Sequence, residues 1–233
     1  MTGTTAPAAF DGFSKETVTF FRGLKKNNNR EWFERNRPVY EAHVLGPAKS
    51  FVVAMGAKLK PLVPRISAVP QVNKSIFRLN RDTRFSMDPT PYKTNLGILF
   101  WEGATKMEGP GFYFGLEPPE LWIGAGTWMF SDKQLPRFRR AAVDPRLGKE
   151  LTRIVSEIGT LEGAEVGGTH YKRVPAGFDA GHPNAKLLLH NGLYAGYETA
   201  VPEELYTARL VDYCLERFTP LLPLHRWLVK ALA

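Results

Sequence analysis

Cysteine is almost absent from this chain of 233 residues: the single one is Cys214. One thiol excludes an internal disulfide and any cysteine-cluster metal site, and its apolar neighbours in a helical pattern read it as a buried small side chain. Long hydrophobic runs are also missing, and no stretch approaches the roughly 20 apolar residues of a membrane span. The start, MTGTTAPAAFDGF, has neither a basic n-region nor a continuous apolar core. Residues 1–12 therefore read as a flexible leader and not as a secretion signal, and the cytoplasm is the expected compartment. No GxxxxGK[ST] loop, no GxGxxG after a strand, no GxSxG elbow and no HExxH helix occurs. The usual NTPase, dinucleotide, serine-hydrolase and zinc-protease routes lack their signatures.

What is present in excess is positive charge, and it is unevenly placed. The formal net charge is +8; residues 1–100 hold 16 Lys and Arg against 7 Asp and Glu, while residues 101–233 hold 15 against 16. A basic face of this kind suits an anionic small molecule, a nucleic acid or an acidic protein surface.

The first quarter has helical periodicity. Ser14 precedes Val18, Phe21 and Leu24, predicting a helix over 14–26 that the run Asn27-Asn28-Asn29 stops. Asn29 can cap a second helix, Pro38 kinks or restarts it, and Pro47 begins a third. After Pro70 the period becomes two, predicting strands at 74–82, 95–101, 111–117, 121–128 and 192–199, with a weaker one at 169–173. Helical patterns return at 132–142, 145–158, 183–190 and 203–217, followed by an apolar C-terminal segment. The expected class is α+β: a mostly antiparallel sheet of about five or six strands packed with helices, forming a single domain over 13–233.

The segment FRLNRDTRFSMDPTPYKTN, Phe77 to Asn95, concentrates four cations, Arg78, Arg81, Arg84 and Lys93, against the two acids Asp82 and Asp88. Guanidinium forks hold phosphate or carboxylate oxygens bidentately, and prolines stiffen the loop that would display them. In a strand, Arg81 would share a face with Phe77 and Leu79, where a buried charge needs a carboxylate or carbonyl partner. Arg78, Arg81, Arg84, Ser86, Tyr92 and Lys93 are the candidate ligand contacts here. Paired internally, the same charges would make only a braced surface loop.

A second loop, Lys172 to Pro183, adds Lys172 and Arg173 as further anion contacts. Asp179 and His182 are its candidate acid and base, because imidazole changes charge near neutrality. The competing reading is a loop fixed by its own hydrogen bonds. Both readings allow it to approach the arginine-rich segment. Two structural alternatives stay open on the strands, where Tyr113 and Gly115 share a face, as do Trp122, Gly124, Gly126 and Trp128. They make either a stacking platform for a base or sugar, or glycines that admit a covering helix. No metal site is expected, since the spacing of Asp82, Asp88, Asp179 and His182 matches no metal motif.

Three strings, NRDTRFSMDPTPYKTN, LKKNNNREWFERNRPVYEAHV and KRVPAGFDAGHPNAKLLL, together resemble the DUF2461 family of bacterial and fungal proteins. The likeness runs from about Phe10 to Phe218. The family has no assigned function, so the resemblance implies no activity, cofactor or catalytic residue. Its members typically read FSKDKTPYKT, with lysines where this chain has Met87 and Pro89, which implies weaker or different anion binding here.

These readings converge on a binder of a phosphate- or carboxylate-bearing ligand, with or without acid/base chemistry. Nucleic-acid binding through the basic first hundred residues is the alternative, and a non-catalytic interaction module is a third. Cofactor and oligomeric state have no signature in the residues.

Overall fold

The computed structural model describes residues 9–84, 87–106 and 108–233. Helix α1, Lys15–Lys26, buries Thr17, Val18, Phe20, Phe21 and Leu24, the face its apolar spacing dictates. Asn29 then caps α2, Arg30–Arg35, its side chain accepting from the Trp32 amide at 2.9 Å. A short α3, Arg37–Val39, runs through a π-helical stretch, Tyr40–Leu45, into α4, Gly46–Leu59. Pro47 explains the widened turn. It has no N–H to give the carbonyl of His43, and its ring crowds that carbonyl. Gly46 instead donates to Glu41 five residues back, and the buried Thr17 hydroxyl of α1 donates to His43 O at 2.5 Å.

Five strands form one antiparallel sheet in the order β1-β2-β3-β5-β4: β1 Leu96–Trp101, β2 Gly111–Glu117, β3 Glu120–Thr127, β4 Ala164–Thr169 and β5 His190–Ala200. Pro118-Pro119, joined by a cis bond, turns β2 into β3. Helices α5 Gln134–Val143, α6 Leu147–Ile158, α7 Leu210–Phe218 and α8 Leu222–Leu232 complete an α+β fold.

Three expectations are corrected. Residues 74–82 do not form a strand; they make isolated bridges, Ile76 with Val72 and with Ile98, and Asn80 with Tyr92. Pro89 and Pro91 have no N–H for a ladder, so backbone bonds such as Arg81 N to Pro91 O (2.8 Å) and Lys93 N to Leu79 O (2.8 Å) stay isolated. The weak strand lies at Ala164–Thr169 instead of 169–173, ending where Gly168 (φ +111°) shifts the register and the His170 and Tyr171 amides both turn to Leu189 O. Within the expected helices at 183–190 and 203–217, Ala185–Leu189 and Glu203–Tyr206 are 3-10 turns and not α-helix.

By contacts the described chain divides into two compact units, each discontinuous in sequence. One holds residues up to Phe100 with Tyr113–Trp122 and Thr199–Leu215; the other holds Trp101–Phe112, Ile123–Glu198 and Glu216–Ala233. The core of the first is an aromatic cluster in which Phe114 packs on Phe51 (4.9 Å between centroids) and Phe13 (6.0 Å). Phe10 lies against Phe51 at 5.2 Å, so the packed chain already includes that residue. The core of the second centres on Phe138, Trp227 and Phe130, with the Trp227 indole N–H held by Leu147 O at 2.9 Å.

Candidate functional site

The arginine-rich segment is fastened from a distance in sequence. Asn28, in the bend between α1 and α2, donates from Nδ2 to Tyr92 O (2.8 Å), and its Oδ1 accepts from the Tyr92 amide (3.0 Å). Tyr92 itself is only 5% exposed and stacks on Phe33 at 4.3 Å and 18°. Two of the three strings that carry the family resemblance are thereby joined.

Within the segment the cations divide into two kinds. Arg81, its side chain 26% exposed, hydrogen-bonds the Asp88 carboxylate, the Thr90 hydroxyl and the Thr90 carbonyl. This is the partnered guanidinium that burial beside Leu79 requires. Asp88 also accepts from the Thr90 amide at 3.0 Å; that bond first, then those of Arg81 and the Thr90 hydroxyl, lowers its pKa to about 2. Arg84 chelates Asp82 two residues away, at 2.9 and 2.7 Å, with the arginine side chain 77% exposed. Both are braces in the resting loop.

Arg78 and Lys93 differ: neither has an ion pair among the described residues. The Lys93 ammonium sits 5.3 Å from the centre of the Phe77 ring. Burial first, and the charge of Arg78 second, lower its pKa. Lys93 and the exposed Arg78 are thus like charges near one another, and Arg78 is also near enough to Asp82 to help lower that carboxyl's pKa. Ser86, the remaining candidate of this segment, lies outside the described residues.

Phe77 opens a row of aromatic rings. Its ring lies 6.1 Å from Tyr113 on β2, and Tyr113 lies 5.3 Å from Trp122 on β3. The glycines between them make the row. A Cβ on Gly97 would stand 2.8 Å from the Tyr113 hydroxyl and 3.2 Å from the Phe77 ring, and one on Gly115 would stand 2.6 Å from Tyr113. At Gly97 and Gly115 the bare backbone thus admits the rings of Phe77 and Tyr113. All three rings are half-buried. At their edge Asn95 Nδ2 approaches the Tyr113 hydroxyl (3.4 Å), and the Thr94 hydroxyl donates to Glu117 at 2.8 Å.

The Lys172–Pro183 loop belongs to the other unit. Lys172 and Arg173 are exposed and without an ion pair among the described residues. Asp179 accepts from the Gly181 amide at 2.8 Å, and His182 Nδ1 accepts from the Asn184 amide at 3.0 Å. Each side chain is thus engaged by its own turn, and the ring proton of neutral His182 resides on Nε2. His182 borders an open cleft of about 610 Å³ with Lys149, Thr152, Arg153 and Ser156. Asn184 closes its floor, donating to Ala142 O (2.8 Å) and Gly148 O (3.0 Å) while accepting from the Thr152 hydroxyl (2.7 Å).

Among the described residues, no three His, Cys, Asp or Glu side chains gather where they could hold a metal ion. No helix among them is long and apolar enough to cross a membrane. Sequence reasoning missed the Asn28 clamp and the joining of Phe77 to Tyr113. The only available signals were an asparagine beyond those needed for capping and a glycine at position 97.

Against known proteins, the family described as "Conserved hypothetical protein (DUF2461)" matches residues 16–227. No curated protein matches the chain.

Proposed function

The chain belongs to the DUF2461 family, and we propose that it binds a phosphate- or carboxylate-bearing ligand at the arginine-rich segment, with Arg78 and Lys93 taking the anion. One observation carries this reading: neither Arg78 nor Lys93 has an ion pair among the described residues, the Lys93 ammonium resting over the Phe77 ring, while Arg81 and Arg84 each have an acid. An anion bound there gives these two side chains the ion pair they lack among the described residues. Each charge-assisted hydrogen bond of this kind contributes about 1.5–3 kcal/mol. Arg84 is the reserve contact, because an exposed ion pair two residues apart is readily exchanged for a ligand oxygen. Arg81 holds the loop in shape for the others.

The test is a binding titration with inorganic phosphate and with small carboxylates, on the protein and on its Lys93→Met form. Weaker binding by the variant, at unchanged melting temperature, supports the reading; equal binding removes it.

A second reading, favoured by the excess of cations in the first hundred residues, is nucleic-acid binding. Its mark is counterion release: affinity for an oligonucleotide would fall linearly with log salt, by about 0.9 per phosphate contacted on B-DNA. Salt-insensitive binding, or none, excludes it. Chemistry at His182, through its Nε2, and contacts by Lys172 and Arg173 are proposed only as activities of the second loop by itself. The cytoplasm is the compartment proposed, consistent with a lone buried Cys214.

A further inference from the structure

The Lys93 ammonium stands at one end of a row that is otherwise aromatic, and this composition narrows the ligand. Resting on the anion-binding reading above, we infer that the ligand is a nucleoside monophosphate or a close analogue, its phosphate at Arg78 and Lys93 and its heterocycle on the Tyr113–Trp122 rings.

The first support is continuity. From the Lys93 ammonium, successive steps of 5.3, 6.1 and 5.3 Å lead over Phe77 to Tyr113 and Trp122. Every element along that path lies in the same compact unit. A flat ring and a tethered anion therefore find their complements side by side.

The second is rigidity. Tyr113 lies flat because Gly97 and Gly115 leave no Cβ beneath it, and its hydroxyl is met by Asn95. Aromatic side chains fixed in this way stack a base with little ordering cost, and any base offers them a π face. The sheet face opposite carries Phe114 into the helical core, so the row is not part of that core.

The third is the polar fringe. Glu117, which accepts from Thr94 and lies 3.7 Å from Lys25, brings a carboxylate beside Tyr113. A bare polyanion gains nothing from that carboxylate. A ribose, with hydroxyl donors between its phosphate and its base, does.

The experiment is calorimetric titration at fixed ionic strength with four probes: adenosine monophosphate, ribose 5-phosphate, inorganic phosphate and adenosine. The expected result is that adenosine monophosphate binds at least about tenfold more tightly than ribose 5-phosphate. The Trp122→Leu variant should erase that advantage while leaving ribose 5-phosphate unchanged, and Lys93→Met should weaken both phosphates together. Equal affinity of the two phosphates for the unsubstituted protein overturns the nucleotide assignment and leaves anion binding standing. Failure of all three phosphates, or adenosine binding as tightly as its monophosphate, overturns the anion reading and the assignment with it. The comparison on the unsubstituted protein decides the matter even where Trp122→Leu does not fold.

Discussion

The side-chain amide of Asn28 closes both ends of the Tyr92 peptide, donating to its carbonyl at 2.8 Å and accepting from its N–H at 3.0 Å. An amide placed this way imitates a neighbouring strand, which the segment lacks because Pro89 and Pro91 have no N–H of their own. The loop that carries the cations is therefore held by a residue 64 positions away.

Removing that clamp should cost stability and affinity together. Asn28→Ala leaves a half-buried N–H and C=O without partners, a loss of about 1–3 kcal/mol. At roughly 2–4 °C per kcal/mol for a chain of this size, the melting temperature should drop by several degrees. Ligand binding should weaken as well. A variant with unchanged melting and unchanged affinity would show that the clamp holds nothing.

Asp88 should titrate far below an ordinary carboxylate. Its pKa falls from 3.8 to about 2 on folding, so the stabilisation of the loop is present above about pH 4 and is lost as the pH falls through about 2. Carboxyl NMR titration reads this directly. A midpoint near 4 would mean that neither the Thr90 amide nor Arg81 engages the group.

Asp82 competes with the ligand for Arg84. In the Asp82→Asn variant the chelate is broken, the melting temperature stays nearly constant because both groups face solvent, and phosphate affinity rises. A fall in affinity would instead assign Asp82 to the ligand.

His225 gives the other unit an acid-sensitive point. It is fully buried, stacked on Phe112 at 4.7 Å, with Nε2 3.1 Å from Glu102 and Nδ1 without a hydrogen bond among the described residues. Burial outweighs Glu102 and lowers its pKa from 6.5. The unfolded chain therefore binds the proton more readily, and stability declines as the pH falls below about 6.5. His225→Phe keeps the stacking and should flatten that decline in a melting series from pH 7.5 to 5. An identical decline in the variant would place its origin elsewhere.

Local chemistry was legible in the sequence. Ser14, Asn29 and Pro47 mark helix starts, and the need of Arg81 for a carboxylate or carbonyl partner followed from its apolar neighbours. The π-helical turn was not legible, because it takes both the missing N–H of Pro47 and a hydroxyl from α1. The alternation of Phe77, Leu79 and Arg81 suggested a strand, but the prolines facing it permit only single bridges. Tyr113 and Trp122 could be placed on a face from period two alone. That Phe77 joins them across Gly97 depends on register with β1, which no local pattern encodes.

The decisive measurement is the affinity for adenosine monophosphate of the protein and its Arg78→Met, Lys93→Met and Arg81→Met variants, each with its melting temperature. Arg78→Met and Lys93→Met should each bind about tenfold or more weakly at unchanged melting temperature, each losing one charge-assisted contact. Arg81→Met should melt earlier. Full affinity in both Arg78→Met and Lys93→Met contradicts the anion site.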